Sequence, residues 1–179
     1  MNILDKKGLA AALTRLAAEI VKRNSSAKMI SLVGIRTRGE FLARRLEKLI
    51  VAKSKKPVEL GFLDITLYRD DLRGKLHQPI LKQTEISFDI NGKTVVLVDD
   101  VLFTGRTVRA ALEALSDLGR ASSIHLAVLI DRGHRELPVM PDFVGKIIKT
   151  TPSEDVQVRL VECDGTDSVV IAGRGKKKS

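Results

Sequence analysis

Residues Asp99 to Thr107 read Asp-Asp-Val-Leu-Phe-Thr-Gly-Arg-Thr, and they set two carboxylates, two hydroxyls and a guanidinium along one short stretch. Two adjacent carboxylates can accept hydrogen bonds from vicinal hydroxyls or hold a hydrated Mg²⁺. The turn Thr104-Gly105-Arg106-Thr107 adds hydroxyls and backbone N–H groups ahead of an expected helix, where the helix dipole is positive. That is a cradle for a phosphate dianion, and Gly105 lets the backbone come close to it. One loop with a hydroxyl-reading end and a phosphate nest suits a ribose 5-phosphate. Each piece alone is ordinary, since Thr-Gly is common capping chemistry and paired aspartates are often solvated. A P-loop ATPase is excluded: the only candidate spacing, Gly34 to Gly39, is followed by Glu40-Phe41 where Lys and a hydroxyl residue are required.

The elements that must hold this loop are legible around it. Lys93 to Val98 is the most strand-like run, launched by the Asn91-Gly92 turn, and a helix is expected from about Thr107 to Leu118 with Gly119 at its end. Leu9, Leu13, Leu16 and Ile20 recur at helical spacing over Lys6 to Arg23, with Asp5 a plausible N-cap. Met29 to Ile35 reads as a buried strand. A helical face through Phe41, Leu42, Leu46, Leu49 and Ile50 follows it and ends near Lys53 to Pro57. Val58 to Leu67, Ile124 to Ile130, Val156 to Glu162 and Ser168 to Ala172 read as further strands. Tyr68 to about Ser87 is polar and aperiodic, as in a functional lid or a disordered insert. Strands alternating with helices and reading as continuous apolar runs imply an α/β fold, a mostly parallel central sheet flanked by helices. Ligands then bind at the carboxyl ends of the strands.

Composition bounds the rest. At 179 residues, 44% hydrophobic and 30% charged, the chain suits one domain over 1–173 with a basic, solvated tail at 174–179. Charges interrupt every stretch that could approach the roughly 18 apolar residues of a membrane span, no secretion signal opens the chain, and Cys163 is the only cysteine. A cytoplasmic protein with no disulfide framework is the expectation. The net charge of +9 favours polyanionic partners, phosphates or nucleic acid, without choosing between them.

The string Val95 to Thr107 resembles the phosphoribosyl-pyrophosphate (PRPP) signature of type I phosphoribosyltransferases. Leu32 to Gly39, Asp64 to Leu72 and Asp131 to Pro138 resemble one branch of that family, the uracil phosphoribosyltransferases that also regulate pyrimidine operons by binding messenger RNA. The match extends over most of residues 5 to 172. It implies a type I phosphoribosyltransferase fold with a flexible active-site loop opening at Tyr68 to Leu72. It also implies a catalytic set of Asp99, Asp100, Arg38 and Arg69. PRPP and nucleotide would be bound by Thr37, Arg38, Gly39, Val101, Leu102, Phe103, Thr104, Gly105, Arg106 and Thr107, with Mg²⁺ entering on PRPP and water rather than on direct protein ligands. Arg36 and Arg38 would place cationic charge beside the pyrophosphate.

Phe103 stands where purine enzymes of the family usually carry an Asp that manages a base proton; a phenyl ring cannot do so, and the purine reading drops. The group that deprotonates uracil stays unassigned. The implied reaction is uracil plus PRPP giving UMP plus diphosphate, with UMP or UTP as effector. The implied RNA face, for a pyrimidine-operon leader, is Thr14, Arg15, Arg23, His134 and Arg135. Ala18, Met140 and Pro152 depart from its cationic pattern. Homodimers or homotetramers are expected. The alternatives are a nucleotide-sensing RNA regulator with little catalysis, or transfer to another base.

Overall fold

Continuous apolar runs of the kind seen at Ile30–Ile35 and Val95–Val98 can be satisfied only by a sheet covered on both faces, and the structure builds one. It is a computed structural model that describes residues 1–69 and 83–173. In chain order the elements are β1 (Asn2–Leu4), α1 (Lys6–Arg23), β2 (Ile30–Ile35), α2 (Arg38–Ser54) and β3 (Val58–Leu63). They continue with β4 (Thr94–Leu102), α3 (Arg106–Leu118), β5 (Ser123–Asp131), β6 (Phe143–Ile147), β7 (Glu154–Arg159), α4 (Val161–Asp164) and β8 (Ser168–Gly173). A 3₁₀ turn, Thr66–Tyr68, follows β3.

Five strands pair in parallel in the order β3-β2-β4-β5-β6, which puts the Asp99-Asp100 strand in the middle. Alternate residues divide between the two faces. Ile30, Leu32, Val96 and Val98 pack with Leu9, Leu13, Leu16 and Ile20 of α1 and with Leu42, Leu46 and Ile50 of α2. Val33, Ile35, Val95 and Leu97 pack with Val108, Ala111 and Leu115 of α3. This period of two is what makes a β-strand buried on both faces apolar throughout. The Asp5 side chain caps α1 by accepting from the Gly8 amide at 2.7 Å.

A second, three-stranded antiparallel sheet, β1-β8-β7, lies outside this frame, and its Val156, Val158, Leu160, Val169 and Ile171 join the α1–α2 side of the core. Strand alternation alone predicts one sheet; β1 and β6 carry little period and are absent from the sequence reading. Val58 to Leu67 is not one strand, because β3 ends at Leu63 and the chain turns. Glu162 does not continue β7; it sits in α4. The proposed cover falls largely on residues 70–82, including Asp70 to Leu72, and the proposed tail on 174–179. Both lie outside the described residues.

Two glycines set how closely α2 can approach the sheet. A Cβ on Gly39 would stand 2.5 Å from the Val98 carbonyl oxygen, and one on Gly34 would stand 2.5 Å from the Gly39 carbonyl oxygen. The helix therefore starts directly against β4, beside Asp99.

Candidate active site

The carboxyl end of β4 does not stop at Val98. The strand runs on through Asp99 and Asp100 to Leu102, so both carboxylates are carried on sheet rather than on a loop. Asp99 is 7% exposed, and its Oδ1 accepts from the Asp100 amide at 2.9 Å; Asp100 Oδ1 accepts from the Val101 amide at 2.9 Å. Burial, and then the neighbouring Asp100 charge, pushes the Asp99 carboxyl well above the usual carboxylate range; burial also raises Asp100. Cations offset this in part, Arg69 at Asp99 and Arg38 at Asp100.

These groups open onto a cavity of about 310 Å³ lined by Arg36, Thr37, Arg38, Asp64, Thr66, Arg69, Asp99, Asp100 and Thr107 among others. It shares Arg69, Val101 and Thr107 with a second cavity of about 340 Å³ lined by Leu102 to Val108 and Glu136. The two form one cleft along the carboxyl ends of the strands, where an open α/β sheet places its ligands.

At the far end of that cleft Gly105 is the N-cap of α3, with φ of 93°. The first-turn amides of α3 have no intrahelical acceptors and point outward, with the positive end of the helix dipole behind them. Thr104 Oγ1 accepts from the Arg106 amide at 3.3 Å, and the Arg106 side chain turns aside to Glu136 at 2.6 Å. A phosphate here would meet backbone donors first. We expect Gly105→Val to lose most UMP affinity in a calorimetric titration while remaining folded. The φ of 93° disfavours a β-branched residue, and a side chain there would contact Leu137 and Val139 at 3.4 Å. Unchanged UMP affinity in the folded variant would remove the phosphate from this turn.

The segment Asp131-Arg132-Gly133-His134-Arg135 braces that turn from behind. Arg132, 5% exposed, lies 4.0 Å from the centre of the Phe103 ring, and His134 meets the same ring edge-on at 6.1 Å. Arg135 donates to the Phe103 carbonyl at 3.0 Å, to the Val139 carbonyl at 3.0 Å and to Asp131 at 2.7 Å. The Glu136 and Leu137 amides donate to the Thr104 carbonyl at 2.9 and 3.1 Å.

Not every expected site residue faces the cleft with its side chain. Leu102 is 2% exposed and packs in the core, leaving only its backbone for a ligand. Gly39 is required by packing against Val98. Arg36 does not contribute free charge: its guanidinium binds Glu40 at 2.7 Å and Glu85 at 2.8 Å, both across little solvent on the arginine side. Arg38 remains at the cleft, 37% exposed in its side chain, and holds Asp164 at 2.8 Å. The expected RNA residues fall in two groups. Thr14, Arg15 and Arg23 lie on α1 beside β6, where Arg15 donates to the Gly145 carbonyl and Arg23 reaches Asp142 at 3.4 Å. His134 and Arg135 lie behind the phosphate turn, and Arg135 donates to the Phe103 carbonyl as well as to Val139 and Asp131 of its own loop. Sequence reading missed Asp164, Arg132 and Glu136; only the acidic run Glu162 to Asp167 after a short strand hinted at the first.

The donor set fits a Mg²⁺ that arrives with its own phosphate and water oxygens. A buried and a half-buried carboxylate, Asp99 and Asp100, held above their ordinary pKa, gain from nearby cationic charge. Among the described residues no three His, Cys, Asp or Glu side chains gather into a cage. Among them, too, no helix is long and apolar enough to cross a membrane.

Comparison with known proteins agrees with this geometry. The phosphoribosyl transferase domain model matches residues 1–163. The chain is 57% identical over 170 residues to the bifunctional protein PyrR of Pelotomaculum thermopropionicum, covering 95% of this chain and 94% of that one. It is 53% identical over 171 residues to the bifunctional protein PyrR of Clostridioides difficile, covering 95% and 96%. Among solved structures, the hypoxanthine phosphoribosyltransferase of Trypanosoma cruzi superposes with a TM-score of 0.74 at 15% identity, over 96% of this chain and 95% of that one, a likeness of fold.

Proposed function

The chain belongs to the phosphoribosyltransferase family and, at this identity, to its bifunctional PyrR members; from that premise we propose that it transfers the phosphoribosyl group of PRPP to uracil, giving UMP and diphosphate, and regulates a pyrimidine operon by binding its messenger RNA. One observation carries the catalytic half. The Asp99–Asp100 pair and the phosphate turn of α3 lie within nine residues of one another and line a single cleft.

In this reading the 5′-phosphate sits on the amides of Gly105 to Thr107, and Asp99 and Asp100 hold the ribose 2′- and 3′-hydroxyls. Arg38 and Arg69 face the diphosphate, and the Thr37–Gly39 loop cradles it. Asp99 and Asp100 would hold a Mg²⁺ brought in with PRPP through its water ligands, and the ion would supply positive charge against the diphosphate. Breaking the C1–oxygen bond builds positive charge on the sugar, and the buried carboxylates are preorganised to stabilise it. Phe103, clasped between Arg132 and His134, offers the base an apolar edge with no proton acceptor. That suits uracil better than a purine needing a carboxylate at that position. UMP and UTP, which share the site, act as effectors. We assign a cytoplasmic, homo-oligomeric protein.

The test is UMP formation from uracil and PRPP, with orotate, hypoxanthine and adenine as competing bases. Turnover of uracil at least tenfold above the others is the expected result, and preference for another base overturns the assignment. For RNA, Thr14, Arg15 and Arg23 supply the outward-facing set along α1, and removing a cation that neutralises an RNA phosphate weakens binding. A gel shift at physiological salt should favour a pyrimidine-operon leader stem-loop over a scrambled one, more so with UMP. Equal binding of the two would leave the enzyme alone.

A further inference from the structure

Arg38 and Arg45 stand seven residues apart on α2, two helical turns, and so leave the helix on one side. Both meet acidic residues of the turn joining the second sheet's β7 and β8. Arg45 binds Glu162 at 2.5 Å and Asp167 at 2.7 Å, well away from the cleft. Arg38 Nη2 donates to Asp164 Oδ1 at 2.8 Å.

The Asp164 carboxylate is locked in its own turn. Its Oδ2 accepts from the Leu160 amide at 2.9 Å and from Cys163 Sγ at 3.1 Å. The Leu160 amide, the Cys163 thiol and Arg38 hold its pKa at about 2. Arg38, by contrast, faces both the main cleft and a further cavity of about 310 Å³ bounded by Asp100, Val156, Gln157 and Asp164. Its Nε is buried without a partner among the described residues.

We infer that Asp164 is a positioning residue for the diphosphate: it fixes the Arg38 guanidinium where the cleft meets the second sheet, so that the leaving group meets a cation already aimed. This rests on the reading of Thr37–Gly39 as the diphosphate loop. A guanidinium has five N–H donors, and Asp164 accepts from only one of its nitrogens. The carboxylate therefore need not leave when diphosphate arrives, and its locked geometry suits an anchor rather than a latch. Without it, Arg38 is a long side chain free to turn toward Asp100, and the cost of ordering it falls on diphosphate binding.

The test separates ligands that carry diphosphate from one that does not. Asp164→Asn keeps an oxygen for the Leu160 amide but loses the charge. It should raise KM for PRPP and the inhibition constant of diphosphate about 3- to 10-fold, the scale of immobilising one such side chain, with UMP affinity within twofold of the parent. Glu162→Gln, which loosens the same turn at Arg45, should lower Tm without producing that split. The proposal is overturned if Asp164→Asn weakens UMP and diphosphate equally, or if Glu162→Gln gives the same split. It is also overturned if diphosphate inhibition is unchanged in Asp164→Asn yet weakened in Arg38→Ala. If Arg38→Ala too leaves diphosphate inhibition unchanged, the diphosphate-loop reading itself fails and the proposal with it.

Discussion

Asp99→Asn and Asp100→Asn should each lose activity while gaining stability. A charge-assisted hydrogen bond to a ribose hydroxyl contributes about 1.5–3 kcal/mol, so kcat/KM should fall roughly 10- to 100-fold in each single variant. The gain in stability follows from burial. Both carboxyls are pushed up by desolvation in the folded protein, Asp99 further by its neighbour's charge, whereas in the unfolded chain each titrates near its ordinary value of about 3.9. Below that value both states are protonated and neither carboxyl penalises folding. As pH rises through the raised folded values, the folded state must ionise buried groups and stability is lost. Asparagine does not titrate. The Tm advantage of each variant should therefore be present at pH 7–8, in ligand-free protein with chelator, and vanish below about pH 4. For a chain of this size each kcal/mol recovered raises Tm by about 2–4 °C. Scanning calorimetry across pH, paired with the UMP assay, checks both halves. A variant less stable than the parent at neutral pH would mean the pair is not the buried, mutually repelling unit described here.

The second large effect is expected at Gly39, through packing rather than ligand contact. An added Cβ would lie 2.5 Å from the Val98 carbonyl oxygen and 3.3 Å from Asp99 Cα, and both neighbours are backbone. Neither α2 nor β4 can yield without moving the other's partners, since β4 is the middle strand and α2 packs on β2, β3 and β4. Overpacking of this kind costs about 1–3 kcal/mol and occasionally more. Gly39→Ala should lower Tm by several degrees and, because the displaced atoms include Asp99, depress kcat/KM in the fraction that folds. Gly173→Ala, which meets nothing within 4 Å, serves as the neutral control. Wild-type Tm and kcat/KM in Gly39→Ala would show that the helix is not seated against the strand.

Local order in the chain carried a large part of the molecule. The α1 face, the β2, β4 and β5 runs and the Thr104–Thr107 turn before α3 are legible because each depends on neighbours within a few residues: side-chain period, a capping oxygen, a glycine free to adopt positive φ. The adjacency of Asp99-Asp100 to a phosphate nest is likewise a one-dimensional fact, fixed once the strand and helix form. What period could not report is pairing across distance. Arg36 reads as cleft charge until Glu85, 49 positions on, is brought against it. Arg38 acquires Asp164 only because the turn between β7 and β8 is brought against α2. The resemblance places His134 and Arg135 on an RNA face, and only the fold shows that the loop after β5 also sets them against Phe103. Gly39 reads as a ligand-loop glycine, and the tertiary structure gives it a packing task. Hydrophobic periodicity encodes which face of an element is buried; which charges cancel, and which remain for a ligand, is decided when those faces meet, because Coulomb and hydrogen-bond partners are set by distance in space and not by separation along the chain.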